Sequence, residues 1–171
     1  MSDPTRDDLD RLAERVAGRL RAAGGTLALA ESCTGGLVAA ALTAVPGASD
    51  FLWGAAVVYS EDAKLVLAGI EAGVLEQHGP VSRTTSEALA AAMRRRAGAT
   101  YGLAVTGWAG PTAGPGGTVG EAHGCLSHAG GAITRTWRIC GDREAVRVGA
   151  AAATLALLQQ HLDGAQDGDD E

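Results

Sequence analysis

Between Asp8 and Ala23 apolar residues recur at three- and four-residue spacing, as Leu9, Leu12, Val16 and Leu20, and Gly24-Gly25 ends the pattern. This spacing predicts an amphipathic helix. Thr26 to Ala30 is a short apolar run that reads as a buried strand, and it feeds directly into Glu31-Ser32-Cys33-Thr34-Gly35-Gly36. Leu37 to Val45 is helical in pattern and stops at Pro46-Gly47, which gives strand, glycine turn and helix. Phe51 to Tyr59 predicts a second strand, followed by helical patterns at Asp62 to Leu67 and around Val74 to His78. Thr84 and Glu87 have the spacing of a capping box, which opens a helix through about Ala97 that Gly98 terminates. Tyr101 to Thr106 reads as a buried strand, and the glycine-laden stretch from Gly107 to Gly117 as a loop. Strands near Val119 to Ser127 and Ile133 to Cys140 follow. Asp142 can cap a last helix running to about Leu162.

Strands and helices therefore alternate. The pattern predicts an α/β fold, a three-layer α/β/α sandwich with a mostly parallel, mixed central sheet, whose antiparallel strand comes from the final hairpin-like pair. At 171 residues the chain suits one domain. Alanine and glycine supply roughly a third of it and large aliphatics only about a fifth, at the lower edge for a globular chain. Aromatic residues make up 4%. Such a core relies on small side chains and close backbone approaches, which predicts thin, tightly packed layers.

The net charge of −6 is unevenly spread, because four acids lie in the first ten residues and five more from Asp163 onward. The middle of the chain is near neutral. We expect solvated, disordered acidic tails at residues 1–8 and 163–171 around a single domain at 9–162. No strongly basic nucleic-acid surface is expected, so direct nucleic-acid binding is not. The acidic start lacks the basic and apolar regions of a signal peptide, and no apolar stretch reaches membrane-spanning length. Three cysteines without CxxC spacing fit a reduced cytoplasmic protein with neither disulfides nor structural zinc.

Thirteen of the fourteen basic residues are arginine, which isolates Lys64. Only an amine, not a guanidinium, can lose its proton and act as a base. In open α/β sheets the ligand site lies beyond the carboxyl ends of the strands. Here three such ends carry polar residues: Glu31 to Gly36, Tyr59 to Lys64, and Thr106 to Gly117. If their strands are parallel neighbours, all three segments converge on one crevice. The first offers backbone N–H groups at a helix start, suited to a phosphate or an oxyanion, although a Ser/Thr-Gly turn that merely caps a helix has the same composition. The second places Tyr59, Ser60 and Lys64 together, with Tyr59 at a strand end and Lys64 about one turn into a helix. A lysine partly desolvated in a crevice can serve as base to a serine hydroxyl. Tyr59 could relay a proton or simply pack. Cys33 is a rival nucleophile at a helix start, but His78, His123, His128 and His161 are too scattered to pair with it or to build a zinc site, so it reads as a buried small residue. Arg94-Arg95-Arg96 reads as a solvated helix face.

Four motifs in order, Ala30-Glu31-Ser32-Cys33-Thr34-Gly35-Gly36, Tyr59-Ser60 with Ala63-Lys64, Ala104-Val105-Thr106-Gly107 with Ala109-Gly110-Pro111, and Gly141-Asp142-Arg143-Glu144, resemble the CinA C-terminal domain family of nicotinamide mononucleotide deamidases. The resemblance runs from about Leu9 to Leu162. It implies an α/β/α amidohydrolase that converts nicotinamide mononucleotide and water to nicotinate mononucleotide and ammonia, with no metal and no cofactor. It also implies Ser32 as nucleophile, Lys64 as general base and Tyr59 as helper. Glu31, Thr34, Gly35, Gly36, Thr106, Gly107 and Gly110 would line the nucleotide site, with Arg143 a phosphate or ribose contact. Many members carry a further N-terminal domain, for which 171 residues leave no room.

Several positions depart from the family's usual residues. Glu61 stands where asparagine is usual, Trp108 where a small aliphatic residue is usual, and Glu121-Ala122-His123 where threonine and an aromatic are usual. The loop to Gly117 also lacks the usual charged residues. These changes bear on substrate identity more than on reaction type. The alternative reading is a non-catalytic nucleotide-binding or protein-interaction module linked to competence or DNA damage. The expected partners are a small-molecule nucleotide and a second copy of the chain, for which Ala150 to Ala156 offers an alanine-rich surface.

Overall fold

The computed structural model describes residues 4–166. Helix α1 (Arg6–Ala22) leads into strand β1 (Leu27–Glu31) and helix α2 (Leu37–Thr43), then β2 (Leu52–Val57). A single helical turn, α3 (Glu61–Ala63), runs on into a π-helical turn over Lys64–Ala68, followed by α4 (Ala72–His78) and α5 (Arg83–Ala97). Strands β3 (Tyr101–Gly107), β4 (Glu121–His128) and β5 (Gly131–Arg138) come next, and α6 (Arg143–Gln166) closes the fold.

The sheet runs in the order β2-β1-β3-β4-β5. Strands β2, β1 and β3 are parallel, while β4 is antiparallel to both its neighbours, so the mixed sheet expected from the final pair of strands is what forms. Its two faces differ in kind. Leu27, Leu29, Leu103 and Leu126 point toward α1, α2 and α6, whereas Ala28, Ala30, Ala104 and Cys125 point toward α5 and the elements before it. This is the two-residue alternation of a strand buried on both sides. On the alanine face α5 rides so close that a Cβ added at Gly102 would lie 2.0 Å from the Ala90 carbonyl oxygen. The glycine and alanine excess thus becomes a short sheet-to-helix distance.

Three expectations need correction. Helix α1 begins inside the segment read as a tail, because Thr5 and Asp8 close a capping box around its first turn. At the other end α6 continues to Gln166, beyond the expected limit near Leu162. The remaining parts of both acidic segments, 1–3 and 167–171, lie outside the described residues. Helix α5 is capped by Ser82, whose hydroxyl accepts from the Thr85 amide at 3.1 Å, rather than by Thr84. Glu87 instead accepts from the Thr134 hydroxyl at 2.6 Å, linking α5 to β5. Finally, most of the alanine run of α6 is not free for a partner: Ala150, Ala151, Thr154 and Leu155 are wholly buried, while Ala153 and Ala156 stay partly exposed. Packing against α1 and the sheet takes up that face.

Candidate functional site

Glu31 ends β1 with its side chain buried, and its carboxylate gathers the whole following turn. One oxygen accepts from the Thr34 hydroxyl at 2.7 Å and from the amides of Gly36 and Val38 at 3.1 Å each, and the other accepts from the Ala39 amide at 2.8 Å. Three of these donors sit where the α2 helix starts, so a buried anion meets the positive end of a helix and its otherwise unpartnered N–H groups. Gly35 and Gly36 adopt positive φ values of 63° and 98°, which only glycine takes without strain. This fixes the backbone on which Ser32 sits.

Lys64 reaches the same point from the far side of β2. Its Nζ donates to the Val58 carbonyl at 2.8 Å and lies 3.3 Å from Ser32 Oγ, and both side chains are buried. The lysine stands where α3 changes to the π-helical turn, a wider coil that Gly69 ends. Burial pushes its amine below the ordinary lysine value, while the Glu61 carboxylate acts in the opposite direction. An amine made easier to deprotonate, bonded to a serine hydroxyl, is the arrangement of a nucleophile and its base.

These residues open onto a cavity of about 440 Å³ lined by Ser32, Tyr59, Glu61, Lys64, Trp108 and Arg143, among others. Arg143, at the start of α6, donates to Tyr59 Oη at 3.0 Å and to the Gly110 carbonyl, so its guanidinium spans the mouth. Gly107 and Gly110 also line the wall. A second cavity of about 550 Å³ shares Glu61, Pro80, Val81 and Trp108 with the first. Ser60, next to Tyr59, caps α3 by accepting from the Ala63 amide at 3.0 Å.

Of the expected site residues, Ser32, Lys64, Tyr59, Gly107, Gly110 and Arg143 meet in this crevice. Glu31, Thr34, Gly35, Gly36 and Thr106 do not line it. Glu31 and Thr34 are engaged with each other and with the α2 amides, and the Gly35 amide donates back to the Ser32 carbonyl at 3.0 Å. Thr106 is buried in the core, sharing a hydrogen bond of 2.9 Å with Ser86. Cys33 is buried as expected, and burial lifts its thiol to about 11, far from a reactive thiolate at neutral pH. Among the described residues no group of three or more His, Cys, Asp or Glu side chains is placed to share a metal ion, and no helix is long and apolar enough to cross a membrane.

Arg147, which sequence reasoning passed over, supports the nucleophile turn from α6. Its Nε donates to the Cys33 carbonyl at 3.3 Å and its Nη2 to the Thr34 carbonyl at 3.0 Å, with Glu144 accepting from Nη1 at 2.8 Å. Its place four residues after Arg143, on one helix face, was the available signal.

Fold and crevice define a class: an α/β/α domain with a serine and a desolvated lysine at the carboxyl end of its parallel strands. The CinA C-terminal domain model matches residues 9–162, and the chain belongs to that family. It is 52% identical over 158 residues to a CinA-like protein of Myxococcus xanthus, covering 91% of this chain and 37% of that one. A CinA-like protein of Frankia casuarinae is 44% identical over 155 residues, covering 91% and 36%. The chain thus spans less than two fifths of the length of these relatives. Among solved structures, a CinA superfamily protein of Klebsiella pneumoniae superposes with a TM-score of 0.88 at 34% identity, covering 91% of this chain and 98% of that one. The competence/damage inducible protein CihA of Agrobacterium tumefaciens gives 0.85 at 32%, covering 95% and 99%.

Proposed function

We propose that this domain is an amidohydrolase that cleaves the carboxamide of nicotinamide mononucleotide, forming nicotinate mononucleotide and ammonia. The observation that carries the reading is the 3.3 Å contact between Lys64 Nζ and Ser32 Oγ in a buried setting that favours the neutral amine. Neutral Lys64 takes the Ser32 proton as Oγ bonds to the carboxamide carbon. The resulting ammonium returns that proton to the leaving nitrogen, and ammonia departs as the tetrahedral intermediate collapses to an acyl-serine ester. Water, deprotonated by Lys64, then attacks the ester; as the intermediate collapses the Lys64 proton returns to Ser32 Oγ, and the carboxylic acid formed gives up its remaining proton to solvent to become the carboxylate.

The negative oxygen of the tetrahedral intermediate needs N–H donors. Those of Gly35 and Gly36, which the sequence suggested, are already engaged. The Cys33 amide is the better candidate, being accepted by no carbonyl among the described residues. A trans peptide plane sets it opposite the Ser32 carbonyl, which faces Gly35. Arg143 at the cavity mouth is suited to the phosphate, which it can meet with paired N–H groups. Tyr59, held by Arg143, supports the phosphate end more directly than the proton transfer.

Ammonia release from nicotinamide mononucleotide by the wild type, Ser32→Ala and Lys64→Arg tests the reading. The expected result is release by the wild type alone. Nucleotide binding without ammonia by the wild type overturns it in favour of a non-catalytic binding module, and full activity of Lys64→Arg overturns the assignment of the base.

A further inference from the structure

Trp108 is the largest side chain between the two cavities, and its surroundings are built for it. Its amide donates to the Glu121 carbonyl at 2.9 Å and its carbonyl accepts from the Gly120 amide at 2.8 Å, so the start of β4 and the glycine before it hold the backbone from both sides. The glycine loop then runs along the indole. A Cβ added at Gly114 would lie 2.5 Å from Cη2, and one added at Gly117 would lie 2.3 Å from Nε1. A side chain at either position would require the ring to move from where it stands. Trp108 and the two glycines thus form one packed unit at the edge of both cavities.

The charges around the ring are ordered. Glu61 borders both cavities and Glu121 borders the second, while Arg143 borders the first alone, donating to Tyr59 Oη and to the Gly110 carbonyl. A ligand with a cationic aromatic ring against Trp108 and Glu61 and an anionic group on Arg143 would meet an opposite charge or a ring face at each of its charged parts. An indole face attracts such a cation through its quadrupole. We propose that Trp108 determines specificity by stacking on a positively charged heteroaromatic ring, so that the site selects N-ribosylated pyridinium carboxamides over the same molecules with an uncharged ring.

This inference rests on the carboxamide hydrolysis proposed above. Its test isolates ring charge by comparing nicotinamide mononucleotide with its reduced form, which keeps the carboxamide, ribose and phosphate but carries a neutral dihydropyridine. Both are titrated calorimetrically into the Ser32→Ala protein, which binds without turnover. The oxidised nucleotide is expected to bind roughly three- to thirtyfold more tightly, and to produce a long-wavelength indole–pyridinium charge-transfer absorbance. Adding Trp108→Leu is expected to abolish the preference and the absorbance together, and Trp108→Phe to keep part of the preference. Equal affinities in Ser32→Ala, or a preference that survives Trp108→Leu, overturn the inference. Should the leucine variant not fold, an unreduced preference in Trp108→Phe with no absorbance in the parent overturns it equally. Ammonia assays on the wild type separate the two proposals: no ammonia sinks the hydrolase reading, whereas ammonia without a ring-charge preference sinks only the role of Trp108.

Discussion

Glu61 stands in the same crevice as Lys64, three residues ahead of it, and its carboxylate works against burial on the lysine amine. Burial disfavours the ammonium; the neighbouring anion favours it. Since the base must be neutral to act, activity is expected to rise as pH passes upward through the Lys64 pKa. Replacing Glu61 by asparagine removes the opposing charge, so the Lys64 pKa falls further and the rising limb of kcat/KM against pH moves to lower pH. A pH–rate profile of Glu61→Asn checks this; a limb that stays put or moves alkaline removes Glu61 from the electrostatics of the base.

The turn below the nucleophile depends on one carboxylate. Glu31→Gln keeps the shape but presents an amide nitrogen to one or more of four donors, losing charge-assisted bonds in a buried place. We expect a loss of about 2–4 kcal/mol in unfolding free energy, measured by urea denaturation, together with a fall in kcat. A variant of wild-type stability would show that the turn holds itself.

Arg147 acts at one remove from the chemistry. By holding the Cys33 and Thr34 carbonyls it sets the direction of the peptide planes beside Ser32. Arg147→Ala is expected to lower kcat on the order of 100-fold with little change in KM, and Arg147→Lys to recover part of it. An effect confined to KM, or equal losses in both variants with unaltered circular dichroism, would point to another role.

The contact between α5 and β3 has no slack. Gly102→Ala would place a methyl 2.0 Å from the Ala90 carbonyl oxygen and 2.7 Å from Arg94 Cβ, with backbone on the nearest side. We expect destabilisation of about 3 kcal/mol or more, seen as a large drop in Tm. Gly73 has open space around its Cβ position and sits in α4, so Gly73→Ala serves as a control expected to be neutral or mildly stabilising.

Much of this molecule is legible in its sequence because the relevant signals are local. The helical spacing of Leu9, Leu12, Val16 and Leu20 predicts the face that α1 buries, and all four are buried. That the segments carrying Ser32 and Lys64 share one crevice also follows from general physics, since polar residues after parallel strands share one edge of the sheet, but the choice of Ser32 over Ser60 as partner of Lys64 came from the resemblance to the CinA family. Where reading fell short, the deciding fact was direction. Glu31 and Thr34 look like ligand groups in a list of residues, but five-residue strand β1 ends with the Glu31 side chain on the α2 side, where helix amides need an acceptor. Thr106 likewise points into the α5 face, toward Ser86. Ser82 precedes the expected cap by two residues, and a capping hydroxyl is known only when its N–H partner is. Arg147 went unnoticed because its partners are main-chain carbonyls more than a hundred residues away.

The unequal faces of the sheet carry a consequence for how this domain can vary. On the leucine side, helices stand off far enough that side chains interlock, and exchanges among Leu, Ile and Met redistribute volume at modest cost. On the alanine side α5 lies close enough that its backbone is the nearest neighbour at Gly102, and the small residues of β1 leave room only for the side chains already packed there. Along β1, adjacent positions should therefore fall into two populations in a saturation library: Leu27 and Leu29 tolerant of other large apolar residues, Ala28 and Ala30 tolerant only of glycine or serine. Divergence on this scaffold is channelled to one side of the sheet and to the loops at its carboxyl edge.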